Sequence, residues 1–247
     1  MRRSHAKKED RVKQGSKRER RDSLPPVNGK HKPKSETIVS ADMAAPPPAL
    51  VVVDKKKINQ KFLDAAYSDD FETVKDLVDA VDVNARDEIG YSALMRFVEC
   101  GNLEAVEFLI EKKADVNAAD KDGITALMLA ASYDQLEIVK LLVENKAKVN
   151  VAEDYGRSAL DYAVKNGNYD IVEFLIDEAK LDSADVKGVT ALMLAARHNR
   201  IEIAELLIRK GAYVNDIDEN DKGAIDHAKE KGNEEMAKFL KKNGAME

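Results

Sequence analysis

The chain has 247 residues, 35% of them charged, a formal net charge of −6, one cysteine and no tryptophan. A single cysteine excludes an internal disulfide framework and suits a reducing compartment. The longest apolar runs fall far short of the roughly 20 residues needed to span a bilayer, and the basic N-terminus has no apolar h-region, so an intracellular, cytoplasmic protein is expected.

Charge and proline divide the chain. Residues 1–50 hold all six prolines, with 13 basic and 6 acidic residues, whereas the remainder holds 27 basic and 40 acidic residues. High charge with little apolar content cannot offset the entropy of ordering, so residues 1–55 are predicted to be a disordered basic tail and linker. AAPPPALVVVD, from Ala44, reads as an extended linker. Four roles stand open for the tail: a solvated spacer, a nuclear-import signal in KRERR (Lys17 to Arg21) in a eukaryotic host, an arm contacting nucleic acid or anionic lipid, or a segment folding back on its own acidic repeats. RRDSL resembles a basophilic kinase site with Ser23 as acceptor. Phosphate there would add about −2 charge to the basic run.

From residue 56 the chain repeats. KFLDAAYSDDFETVKDLVDAVDVNA, from Lys61, opens the series. Units then begin at Asp87, Asp120, Glu153, Asp185 and Asp218, giving predicted boundaries of 56–86, 87–119, 120–152, 153–184, 185–217 and 218–247. Gly90, Gly123 and Gly156 are 33 residues apart, as are Asn84, Asn117 and Asn150. A period near 33 holding two short helical patterns and a turn is the signature of a stacked array.

Within each unit the pattern is physically consistent. Ser92, Thr125, Ser158 and Thr190 precede a short apolar helix and can accept from a free N–H at its start. Leu94, Leu127, Leu160 and Leu192 then face inward. The second helix carries apolar residues at helical spacing, such as Leu136, Val139, Leu142 and Val143. One unit cannot bury both of its faces, so stacking must supply the core. The outer units are more polar. Lys61 and Asp64 fall in the first helix, and in the last unit Lys229 and Glu234 take positions that are apolar or small elsewhere. These read as caps.

The units GITALMLAASYDQLEIVKLLVENKAKVN and GVTALMLAARHNRIEIAELLIRKGAYVN closely resemble the ankyrin repeat family. The resemblance implies an all-α ankyrin solenoid of about six units, including two caps, following the tail. Departures from the family pattern are local. Thr-Ala-Leu-Met or Ser-Ala-Leu-Met replaces Thr-Pro-Leu-His, and Met95, Met128 and Met193 are assigned to packing. The glycine that ends the second helix is Lys113 and Lys146 in two units, which predicts left-handed lysines. The unit from Glu153 is one residue short, with Asp182 in place of asparagine, and a distorted turn is expected between the third and fourth units.

No HExxH, CxxC, Walker loop or GxSxG is present. Cys100 and His198 occupy equivalent positions three units apart, roughly 30 Å at the usual helix spacing, too far for a dyad. Cys100 is expected to be an inert, partly buried thiol, and His227 a packing residue. No enzyme, cofactor or metal site is predicted.

The family resemblance implies that turn tips and first-helix ends line a concave face that binds a protein. Here that face comprises Tyr67, Glu88, Ile89, Tyr91, Lys121, Asp122, Ile124, Tyr133, Tyr155, Arg157, Lys165, Lys187, Arg197 and His198. Tyrosine and arginine are common interface anchors, and the cations collect toward the C-terminal half. A monomeric adaptor, scaffold or inhibitor is expected. Two rivals remain: a module gripping nucleic acid or anionic lipid through its tail, and a non-catalytic regulatory subunit of an enzyme.

Overall fold

A computed structural model describes residues 54–246. Ser23, the KRERR run and most of the linker lie outside that range. Among the described residues twelve α-helices follow one another in pairs: α1 (Lys55–Tyr67) with α2 (Phe71–Leu77), α3 (Ala93–Cys100) with α4 (Leu103–Glu111), α5 (Ala126–Ser132) with α6 (Leu136–Glu144), α7 (Ala159–Asn166) with α8 (Tyr169–Leu175), α9 (Ala191–Arg197) with α10 (Ile201–Arg209), and α11 (Ala224–Glu230) with α12 (Glu234–Lys242). No strand occurs among the described residues, only isolated antiparallel bridges at the bases of the turn tips.

The hydroxyl residues start the first helices as expected. Ser92, Thr125, Ser158 and Thr190 accept from the backbone N–H of Met95, Met128, Asp161 and Met193, each satisfying a donor the helix leaves unpaired. Asp161 returns the bond to Ser158 N–H at 2.7 Å, completing a capping box. First helices stack in the order α1, α3, α5, α7, α9, α11, and second helices α4, α6, α8 and α10 form the outer row. The core between them is dominated by Ala, Leu and Val with Ile and Met, including Leu94, Met95, Leu127, Met128, Leu192 and Met193. Complete burial of one such side chain contributes about 1.5–3 kcal/mol. The apolar stripe of α6 is Ile138, Val139 and Leu142; Leu136 and Val143 lie at its margin. At the N-terminal end, Phe71 meets Phe97 and Phe108 edge-on at centroid distances of 5.9 and 5.4 Å.

Three hydrogen-bond ladders tie each repeat to the next, and they account for the period. The first joins the turn tips: the N–H groups of Lys121, Asp154, Val186 and Glu219 donate to the carbonyls of Ile89, Asp122, Tyr155 and Lys187 at 2.9–3.1 Å. This close approach requires glycine in the tip. A Cβ at Gly90 (φ +94°) would lie 2.9 Å from Lys121 N, and one at Gly156 (φ +84°) 2.9 Å from Asp185 Cα. The second ladder runs through the loop asparagines. The Oδ1 atoms of Asn84, Asn117, Asn150 and Asn215 accept from the N–H of Asp115, Lys148, Lys180 and Met246 at 2.7–2.8 Å. The third uses the residue before α8, α10 and α12. Asn168 and Asn233 donate to Ala131 O (2.8 Å) and Ala196 O (2.9 Å), and Arg200 Nη2 donates to Asn166 O (2.8 Å).

Lys113 (φ 71°) and Lys146 (φ 70°) are left-handed, as the helix-ending register requires. The short unit departs from expectation in where its missing residue is absorbed. The tip that follows it keeps the Ala184–Thr190 bridge. The change falls instead at the end of α8, which stops at Leu175, runs on through a right-handed Ile176 and has no left-handed residue before residue 180. A second irregularity lies one tip earlier. Asp87, Asp120, Asp185 and Asp218 each accept two N–H bonds from their own turn. Glu153 is one methylene longer and instead accepts from Arg157 N and Nε, both at 3.1 Å. No bridge forms at the base of that tip.

Candidate binding face

The fold brings turn tips and first-helix ends onto one side, and the surface there is polarised. At its N-terminal end Gln60, Leu63, Asp64 and Tyr67 from α1 face Asp87, Glu88 and Ile89 from the first tip, with Arg96 between them, around an open hollow of about 320 Å³. Tyr67 is 67% exposed and Ile89 48% exposed. Arg96 forms the floor. It pairs with Asp87 at 2.5 Å and Glu99 at 3.0 Å, and its guanidinium lies 5.0 Å from the Tyr67 ring centroid and 4.2 Å from that of Tyr91. Two carboxylates and two rings hold this cation in one orientation. Arg96 is absent from the sequence-derived set. Its signal was a charged residue in the register of Leu129, Tyr162 and Leu194.

Tyr91 and Ile124 do not belong to the open face. They are 6% and 8% exposed. Each is the residue after a tip glycine, where the chain turns back into its first helix, so the side chain packs inward. Burial also pushes the Tyr91 phenol well above its ordinary pKa.

The central stretch carries Lys121, exposed, and Asp122, half-buried, on one tip, followed by Tyr155 on the next at 37% exposure. Arg157 lies 5.2 Å from the Tyr155 ring and 5.4 Å from that of Tyr162, and its Nε bonds to the buried Glu153. Burial first, with Glu153 adding to it, pushes the Tyr162 phenol up to about 12, although Arg157 opposes. Tyr133 is half-buried, and its hydroxyl is enclosed without a hydrogen-bond partner.

At the C-terminal end Lys187 is exposed on its tip, and Arg197 and His198 are exposed at the end of α9, beside the half-buried Lys165 from the end of α7. Arg200 and Lys231 join them. Both were missed by sequence reasoning: Arg200 lies just beyond the helix-end positions taken as contacts, and Lys231 occupies the position of His198 in the last unit, to which the set was not extended. Burial, then Lys165, Arg197, Arg200 and Lys231, hold the His198 imidazole below its ordinary pKa.

Cys100 and His227 also differ from expectation. Cys100 is exposed rather than partly buried, although desolvation of its sulfur, then Asp69 and Glu99, push its thiol up. His227 is buried, but it is not simply a packing residue: its Nε2 lies 3.1 Å from Asp218 Oδ2. Among the described residues no group of three His, Cys, Asp or Glu could hold a metal ion. No helix there is long and apolar enough to cross a membrane.

Comparison with known proteins agrees with this architecture. The family pattern described as ankyrin repeats (3 copies) matches residues 62–153, 120–185 and 160–246. The chain is also similar to the ankyrin repeat and KH domain-containing protein mask-1 of Caenorhabditis elegans, 47% identical over 57 residues, which are 23% of this chain and 2% of that protein. Paired helices, tip ladders and a family match spanning most of its length place this chain in the ankyrin repeat family.

Proposed function

We propose that this protein is a non-catalytic adaptor, scaffold or inhibitor that binds a protein partner through its concave face. Ankyrin repeats are generally protein–protein interaction modules. What carries the reading to this chain is the contrast between its two kinds of large residue. Side chains that serve the stack are buried or bonded between repeats. Tyr67, Ile89 and Tyr155 are large, exposed and aligned on the tip side, with Arg96 and Arg157 held beneath the aromatic rings. Interfaces concentrate affinity in such aromatic and arginine groups.

A photoreactive phenylalanine analogue placed at Tyr67 or Tyr155 tests this. Crosslinking should yield one recurrent protein adduct from either position and none from the same analogue at Lys140 on the outer helix α6. Equal labelling from Lys140 would remove the concave face from the proposal.

A further inference from the structure

We propose that the C-terminal end of the concave face, built from Lys165, Arg197, His198, Arg200 and Lys231, is a docking site for an acidic peptide segment of the protein partner. This rests on the reading of the concave face as the binding surface and adds the chemistry of the segment it holds.

Three consecutive repeats supply the cluster. Lys165 comes from the end of α7, Arg197 from the end of α9, and His198 and Arg200 from the turn after it. Lys231 follows α11. All four cations act on the His198 ring. Arg200 is fixed in place: its guanidinium packs so closely over Gly167 that a Cβ there would lie 2.6 Å from Cζ, and Nη2 donates to the carbonyl of Asn166. It caps α7 at the helix end that favours a cation. Glu230, the acid whose charge Arg197 reaches, is already engaged by Lys222 Nζ. The exposed Arg197 and Lys231 therefore raise the local positive potential without serving the fold. Like charges held this close cost stability, and an arriving carboxylate relieves that cost.

A carboxylate-bearing peptide fits better than a nucleic acid. The cluster covers roughly 20 Å at the usual spacing of stacked helices, about six residues of extended chain. Beyond it the same face mixes Asp154, Asp122, Glu99, Glu88 and Asp64 with Lys121, Arg157 and Arg96, and residues 51–247 carry 40 acidic against 27 basic side chains. A continuous polyanion longer than the cluster would leave it for a region of net negative charge. No aromatic stands among the five cations to stack a base.

The experiment titrates the full chain with a fluorescent decapeptide alternating Glu and Gly, and with a single-stranded oligonucleotide of the same net charge. Saturable peptide binding is expected, weakening as salt rises. Arg197→Glu with Lys231→Glu should reduce peptide affinity at least tenfold, Arg197→Gln with Lys231→Gln should reduce it severalfold, and Lys140→Glu on the outer row should leave it unchanged. Peptide binding should also raise the His198 pKa, read from its imidazole proton resonances, because a bound anion offsets the four cations around it. Failure of the peptide to bind, unchanged affinity in both double variants, or a tighter binding of the oligonucleotide that Arg197→Glu with Lys231→Glu also abolishes would each overturn the proposal. Loss of affinity in Lys140→Glu would instead refute the concave-face reading itself. Recurrent crosslinking from Tyr67 and Tyr155 without peptide binding would remove only the acidic docking site.

Discussion

Asp182→Asn should stabilise the protein. Asp182 stands in the loop ladder where the other rungs carry asparagine. Its Oδ1 still accepts from Tyr213 N at 3.3 Å, the longest of these contacts. An asparagine does more. Asn117, Asn150 and Asn215 each also donate through Nδ2 to the carbonyl of Lys146, Glu178 and Gly244, at 3.1, 2.8 and 3.1 Å, just past the end of the next second helix. A carboxylate cannot make that bond. By register the carbonyl that Asp182 leaves without this donor is that of Gly211, beyond α10. The substitution adds one hydrogen bond, worth about 1 kcal/mol net and less at an exposed site. It also removes a negative charge from a helix C-terminus, worth about 0.3–1 kcal/mol. The gain should therefore be about 1 kcal/mol, or about 2–4 °C in Tm for a domain of this size. Urea unfolding followed by circular dichroism measures it, with Asp182→Ala expected to shift the midpoint the opposite way by losing the acceptor for Tyr213 N–H. An unchanged or lowered midpoint for Asp182→Asn would refute the account of the ladder.

Lys113→Gly and Lys146→Gly should each raise the thermal midpoint, because a left-handed lysine costs about 1 kcal/mol relative to glycine. Gly211→Ala should lower it, since Gly211 has φ +101° with nothing within 4 Å of an added Cβ and the cost is purely conformational; the same sign for all three would contradict the helix-end geometry. Tyr67→Ala and Tyr155→Ala should leave the fold intact and each cost about 2 kcal/mol of partner affinity, roughly thirtyfold, measured once the crosslinked partner is in hand. Tyr91→Ala should instead lose about 3 kcal/mol of stability as a core truncation, and wild-type stability in that variant would return Tyr91 to the binding face. Burial opposes the charge on Asp218, but the N–H groups of Asn220 and Lys222, and His227, hold its carboxyl below the ordinary value. A depressed folded pKa contributes stability that is present above the unfolded value, near 3.8, and lost as pH falls through the folded one. Asp218→Asn should therefore flatten the acid limb of the stability–pH curve below about pH 4, and a limb as steep as in the wild type would show that this carboxylate is not responsible.

Helix starts, the inward leucines and the left-handed lysines were legible because each is fixed by neighbours within a few residues. The tip glycines were legible as a period, but not the reason for it, since Gly90 is constrained by a backbone atom of Lys121 in the next repeat. The same limit explains the errors at the site. Tyr91 and Ile124 sit two and three residues after the exposed Ile89 and Lys121, and only the turn's return into α3 or α5 distinguishes inward from outward. Arg96 could have been found, because an arginine in a leucine register requires compensating partners, and Asp87 lies nine residues earlier in the same unit. Arg200 required knowing that its side chain caps α7 beside His198, and Lys231 that it reaches the space around His198 from the next repeat.

The tip ladder also acts as a ruler. Because each tip is bonded to the next, equivalent positions on the concave face recur at a fixed interval of roughly 10 Å, the spacing of stacked helices. That interval matches about three residues of extended chain and about seven residues of helix. A partner lying along the groove therefore meets Lys165 and Arg197, equivalent positions on neighbouring repeats, with residues three apart if extended, or seven apart if helical. Acidic peptides with the two spacings but equal charge would bind with different strength, and the tighter one would give the partner's conformation before any complex is solved.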